Sequence, residues 1–167
     1  MNIKQLLLVL IMFLSLNVSG QDDIIKVGQQ MPSFDISMQN GETINSTSMK
    51  GKVVLINFFA TWCGPCLEEL PVLENKVWNK YKSNSNFGLF VIGRDHTESE
   101  IKAFQTKHNF DLPMYPDNGK VIYSLFAIKY IPRNYIIDKT GKIVYASISY
   151  SPEEFKKMLK VLDKLLK

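Results

Sequence analysis

From Val53 to Phe59 the chain reads Val-Val-Leu-Ile-Asn-Phe-Phe, and just beyond it comes Cys63-Gly64-Pro65-Cys66. So continuous an apolar run marks a strand buried on both faces, which requires a layer of structure on each side of its sheet. From Cys66 the periodicity changes. Cys66, Leu70, Leu73, Val77 and Tyr81 recur at spacings of four, three, four and four, the stripe of a helix. Pro65 suits a first helical turn, where its missing N–H costs nothing, and Pro71 inside the helix is expected to kink it. A central strand feeding a helix through two cysteines restricts the chain to an α/β architecture.

The remaining elements agree with that class. Ser33 to Met38 alternates, Asn40-Gly41 signals a hairpin turn and Thr43-Ile44 returns, with a helical turn at Ser46 to Met49. Phe87 to Ile92 reads as the next strand. Thr97-Glu98-Ser99-Glu100 is a capping box opening a helix to about His108. Gly119 to Phe126 reads as a short helix. Arg133 to Ile137 and Ile143 to Ile148 read as a hairpin turning at Lys139-Thr140-Gly141. Ser151-Pro152-Glu153-Glu154 supplies an N-cap, a first-position proline and a capping-box glutamate for a last helix with Phe155, Met158, Leu159, Leu162, Leu165 and Leu166 on one face. The order is one α/β domain with a mixed central sheet.

Residues 1–20 have the pattern of an export signal: Lys4, the apolar run Leu6 to Leu16, then a polar exit at Asn17-Val18-Ser19-Gly20. The run is short for a bilayer span, which needs ~20 apolar residues, so cleavage is the first reading and an uncleaved N-terminal anchor the alternative. The expected organisation is a signal peptide at 1–20, a short tail at 21–30 and a domain at 31–167, placed in the periplasm or another extracytoplasmic space. The net charge of +4 comes from scattered lysines, which argues for a solvated surface and against nucleic acid. The chain has only two cysteines, and they are close together. A cross-link closing so short a loop adds little stability, because that entropy grows with loop length, and it suits opening and closing instead.

A helix N-terminus favours an anion, so a Cys63 thiolate just ahead of the first turn is stabilised while Cys66 is shielded within it. Cys63 is therefore the expected nucleophile on a disulfide and Cys66 the resolver of the mixed disulfide. A zinc site built from Cys63, Cys66, His96 and His108 lacks the short histidine spacing of a finger, and neither a metal nor another cofactor is expected beyond the redox-active disulfide. Arg94, Asp95 and His96 follow a strand end, where loop polarity is the first reading and the rim of a partner surface the alternative.

The segment Phe58-Phe59-Ala60-Thr61-Trp62-Cys63-Gly64-Pro65-Cys66, with Pro71 and Ile131-Pro132 in order behind it, resembles the thioredoxin superfamily over roughly residues 30–167. The N-terminal hairpin, Glu69-Leu70-Pro71 and Phe126 through Lys142 resemble its exported TlpA/ResA branch, related to the AhpC/TSA group. The resemblance implies a three-layer α/β/α fold and a protein-disulfide oxidoreductase. It further implies a cis proline at Pro132, with Ile131 pairing with substrate backbone, and Trp62, Gly64 and Pro65 supporting the site. Asn57 stands where cytosolic relatives carry a buried aspartate, and it cannot accept a proton. Glu69 projects within ~60° of Cys66 around the helix, at the border of the buried face. It is either the proton acceptor for Cys66, as a matching glutamate is in the branch, or a solvated first-turn glutamate. The implied activity is a periplasmic reductase of exported protein thiols, apocytochrome c among them. It would work through transient mixed disulfides and draw electrons from a membrane thiol donor. Two rivals stand beside it. One is a thiol peroxidase, although Thr61 lies only two positions before Cys63 and the peroxidase proline is absent. The other is a non-catalytic, disulfide-stapled binding or chaperone module.

Overall fold

The computed structural model describes residues 23–38 and 40–167; the signal read at 1–20 lies outside the described residues. Among the described residues, seven strands and four principal helices follow in chain order. Strands β1 (Asp35–Ser37) and β2 (Thr43–Asn45) form the N-terminal hairpin. The main sheet contains β3 (Val53–Phe59), β4 (Phe87–Arg94), β5 (Met114–Asp117), β6 (Arg133–Ile137) and β7 (Ile143–Ile148). The helices are α1 (Gly64–Leu73), α2 (Glu98–His108), α3 (Tyr123–Phe126) and α4 (Pro152–Leu165).

The five-stranded sheet runs in the order β5-β4-β3-β6-β7. β3 pairs in parallel with β4 and antiparallel with β6, so the sheet is mixed and β3 is its centre. Alternate residues of β3 serve two cores. Val53, Leu55 and Phe59 pack with Leu70 and Leu73 of α1, Phe104 of α2 and Phe155, Met158 and Leu162 of α4. Val54, Ile56 and Phe58 pack on the opposite face with Phe34 and Ile36 of the hairpin and Tyr123 and Phe126 of α3. Phe58 meets Tyr123 and Phe126 at centroid separations of 5.4 and 5.2 Å. This is the three-layer arrangement with an added hairpin that the resemblance implied.

Four details differ from the sequence reading. β5 was not foreseen: it is a four-residue edge strand with Pro116 inside, and proline in a strand is tolerated only where its missing N–H is not needed. Pro71 stays within α1, and the departure from α geometry falls further on, as a π-helical turn at Glu74–Trp78 before Asn79–Tyr81 resumes. The helix expected over Gly119 to Phe126 is broken, because Gly119 and Lys120 have φ of 75° and 61°, outside right-handed helical space. Ser151 Oγ does accept from the Glu154 N–H at 3.1 Å, but the Glu154 carboxylate turns to Tyr145 and Lys157, leaving the capping box half made. The box at Thr97 and Glu100 is complete.

The segment read as a tail is laid against the domain. The Gly28 N–H donates to the Ile143 carbonyl at 2.8 Å, and Asp23 pairs with Arg133. Among the described residues no helix is long and apolar enough to cross a membrane.

Close approach of α2 to β4 depends on Gly93. A Cβ there would overlap Ile101 Cδ1 and sit 3.3 Å from His96 Cβ, within a core that leaves Ile101 buried. Overpacking of this kind costs roughly 1–3 kcal/mol. Gly93→Ala should lower unfolding free energy by that amount in urea titration, and adding Ile101→Val should recover part of the loss. Full additivity of the two losses would mean that the clash lies elsewhere.

Candidate active site

The carboxyl end of β3 passes through Ala60 and Thr61 into the head of α1. Cys63 is the N-cap of that helix, with extended φ and ψ of −88° and 110°, and the Cys66 N–H points at its sulfur at 3.3 Å. Cys63 and Cys66 are joined as a disulfide. A backbone N–H and the positive end of the helix dipole thus converge on Cys63 Sγ, an environment that stabilises sulfur as thiolate once the bond opens. Cys66 is wholly buried.

Exposure at this site belongs to the turn more than to the sulfur. Trp62 is 69% exposed and Gly64 and Pro65 are open to solvent, whereas Cys63 retains 5%. The first helical turn and the 130–132 loop wall the disulfide in. That loop contains the cis peptide Ile131-Pro132, and the Ile131 carbonyl lies 3.8 Å from Cys63 Sγ. Between them is a groove of about 380 Å³, bounded by Trp62, Gly64 and Pro65 on one side, Tyr130 and Ile131 on the other, and Arg94 at the end of β4.

Behind the cysteines sits a buried polar triad. Glu69 is 2% exposed, so it lies inside the buried face and is not the solvated first-turn glutamate that the sequence left open. Asn57 Nδ2 donates to Glu69 Oε2 at 2.9 Å and to Asn134 Oδ1 at 2.9 Å, and Asn134 Nδ2 donates to Glu69 Oε1 at 2.6 Å. Burial pushes the Glu69 carboxyl up to about 7, against the opposing pull of the two amide donors. Glu69 and Cys66 are three residues apart on one helix face, adjacent around the turn.

Three contributors were missed by sequence reasoning. Asn134 is the register partner of Asn57 on β6, and its one signal was an amide ahead of the apolar run Tyr135 to Ile137. His96, read as loop polarity, is buried and its Nε2 accepts the Thr61 N–H at 3.1 Å, fixing the turn that leads to Trp62 and Cys63. His108 instead stacks with Phe110 at 5.7 Å. Arg133 is 1% exposed; its guanidinium donates to the Lys129 and Tyr130 carbonyls and pairs with Asp23, clamping the loop that carries Ile131. Arginine at a strand start gave no hint of that burial.

The chain as a whole is similar to known proteins. The chain is 31% identical over 130 residues to the thiol-disulfide oxidoreductase ResA of Bacillus cereus, covering 78% of this chain and 74% of that one. It is 29% identical over 128 residues to ResA of Bacillus subtilis, covering 75% and 69%. A candidate protein disulfide isomerase from Bacteroides thetaiotaomicron, solved in solution, superposes with a TM-score of 0.82 at 34% identity, covering 87% of this chain and 92% of that one. The Redoxin family description matches residues 26–165, nearly the whole described domain. The chain therefore belongs to the Redoxin family, as a thioredoxin-like, ResA-type thiol–disulfide oxidoreductase.

Proposed function

We propose that the protein is an extracytoplasmic disulfide reductase acting on exported proteins, apocytochrome c among the partners, with Cys63 as nucleophile, Cys66 as resolver and Glu69 as proton acceptor. The observation that carries the reading is the opposed placement of Cys63 Sγ and the Ile131 carbonyl across one groove. No hydrogen bond among the described residues uses the Ile131 N–H, so both backbone groups suit an incoming extended segment. The leader-like residues 1–20 support the location.

The electrons balance as follows. The Cys63 thiolate attacks one sulfur of the partner disulfide, making a mixed disulfide and releasing the other partner sulfur as thiolate. Cys66 gives its proton to Glu69 and attacks Cys63 Sγ, closing the Cys63–Cys66 bond and releasing the second partner thiolate. Two electrons have passed to the partner, and a membrane thiol donor restores the dithiol. Gly64-Pro65 between the cysteines and Ile131 before the proline resemble reducing members of the superfamily, which supports this direction. Equilibration with glutathione should give a potential nearer ~−270 mV than the ~−120 mV of strong oxidants.

Replacing the resolver leaves the first step intact. Cys66→Ser should accumulate partners covalently held through Cys63 and released by dithiothreitol, whereas Cys63→Ser should accumulate none. If Cys63→Ser retains the biological activity, the chain is a binding module and not a reductase.

Glu69 adds two pH-dependent outcomes. As acceptor it must be ionised, so the resolution rate should rise through about pH 7, the value to which its carboxyl is raised. Glu69→Gln should remove that inflection and slow resolution on the order of 10²-fold; an unchanged profile would end the catalytic assignment. For stability the sign is opposite. The folded chain keeps this proton where the unfolded chain has released it, so the contribution is full below about 4.5 and lost as pH rises through about 7. Between those limits the oxidised protein should lose on the order of 3 kcal/mol relative to Glu69→Gln in denaturant titrations.

A further inference from the structure

Arg94 ends β4 and closes one side of the groove that holds Cys63. We propose that Arg94 determines specificity by binding a carboxylate on the partner polypeptide beside the disulfide under attack, so that acidic cysteine-containing segments are preferred. The inference rests on the proposed reduction of protein disulfides at Cys63.

The guanidinium is seated and unspent. Its carbon lies 4.8 Å from the centroid of the Tyr123 ring, a cation–π contact that seats the group. Among the described residues no carboxylate pairs with it, and Arg94 Nε is buried without a hydrogen-bond partner. Leaving such a donor unmade is costly, and a guanidinium that lines a groove with no ion-pair partner is suited to a carboxylate there.

The acids that could have neutralised it are engaged elsewhere. Asp117 is the register partner of Arg94 across β4 and β5, yet its carboxylate accepts from the Ile122 and Tyr123 N–H groups at 2.8 and 2.9 Å. Asp95, the next residue in the chain, faces Lys120 Nζ at 3.3 Å and the Gly119 N–H at 3.2 Å. The groove itself is lined by Trp62, Tyr130 and Ile131 without an acidic side chain, and Lys129 Nζ lies over the Tyr130 ring at 5.0 Å. An extended partner strand alongside Ile131 thus meets apolar walls and one set of cationic donors, a field that rewards a carboxylate and repels an ammonium.

The test uses the reduced full-length protein and three peptide disulfides of one sequence, in which the residues flanking the cysteine are Asp, Asn or Lys. Released peptide thiol is measured, and each rate is divided by that peptide's own rate with dithiothreitol to remove intrinsic reactivity. The expected order is Asp, Asn, Lys, with Asp about tenfold above Asn at low salt and the gap narrowing as salt is added. Arg94→Gln should bring the Asp-to-Asn ratio within twofold, and Arg94→Glu should reverse the order. Ratios within one variant are insensitive to its overall activity. Equal rates for the wild-type protein would overturn the inference while leaving the reductase reading intact, as would a ratio that persists in Arg94→Gln. A uniform slowing of all three peptides in Arg94→Gln, with a raised Cys63 pKa, would assign the charge to the thiolate and overturn it too. If no peptide is reduced, the reductase reading fails and the inference falls with it.

Discussion

Antiparallel pairing of β3 with β6 sets the carboxyl end of one strand against the amino end of the other. Phe58 faces Arg133 in that register and Asn57 faces Asn134. The C-terminal end of the strand that delivers Cys63 and the start of the strand that follows Pro132 therefore meet at one end of the sheet, although they lie far apart in the chain. A slip of β3 by one residue would turn Asn57 to the opposite core, away from Asn134, and move Phe58 into its place. Alternate burial of Leu55 and Phe59 on one face, with Ile56 and Phe58 on the other, makes that slip prohibitive.

The same register accounts for a carboxylate behind the cysteines. An ionised glutamate this deep is unfavourable unless donors reach it, and two amides supply them without introducing a compensating charge. A lysine or arginine in place of either asparagine would hold Glu69 ionised throughout the neutral range. Amides leave it balanced between its two protonation states. Charge is handled differently on the other side of the groove, where the buried Arg133 has the Asp23 carboxylate beside it and Lys129 and Tyr130 carbonyls around it. The stretch near Asp23 thus takes part in holding the 129–131 loop, so the folded unit reaches further toward the N-terminus than its hydrophobic pattern suggests.

Local patterns in the sequence carried much of this. The uninterrupted run of β3, the stripe from Cys66 to Tyr81, the Thr97 capping box and the β6–β7 hairpin are set by neighbours in the chain, and each was legible. β5 was not, because a short proline-containing edge strand owes its existence to the parallel partner it meets, Val91 to Arg94, more than to its own residues. Cys63, Cys66 and the Ile131-Pro132 landmark stood out as motifs. Glu69 was narrowed to a helix face, but its burial depends on Asn134, which only strand pairing brings near. His96 and Arg133 look like surface residues by type, and their burial follows from a tertiary hydrogen bond and a clamp that have no local signature.

The near-complete burial of Cys63 in the disulfide also bears on which partners can react. Thiol–disulfide exchange requires the three sulfurs to approach a line, and here Cys63, 5% exposed, lines the groove beside Ile131. On the proposed reading, a cysteine held within a folded domain cannot extend its backbone beside Ile131 and reach that line. One in a loose or unfolded segment can. On that reading the groove favours loose polypeptides, whose cysteines are still exposed, over finished structural cross-links.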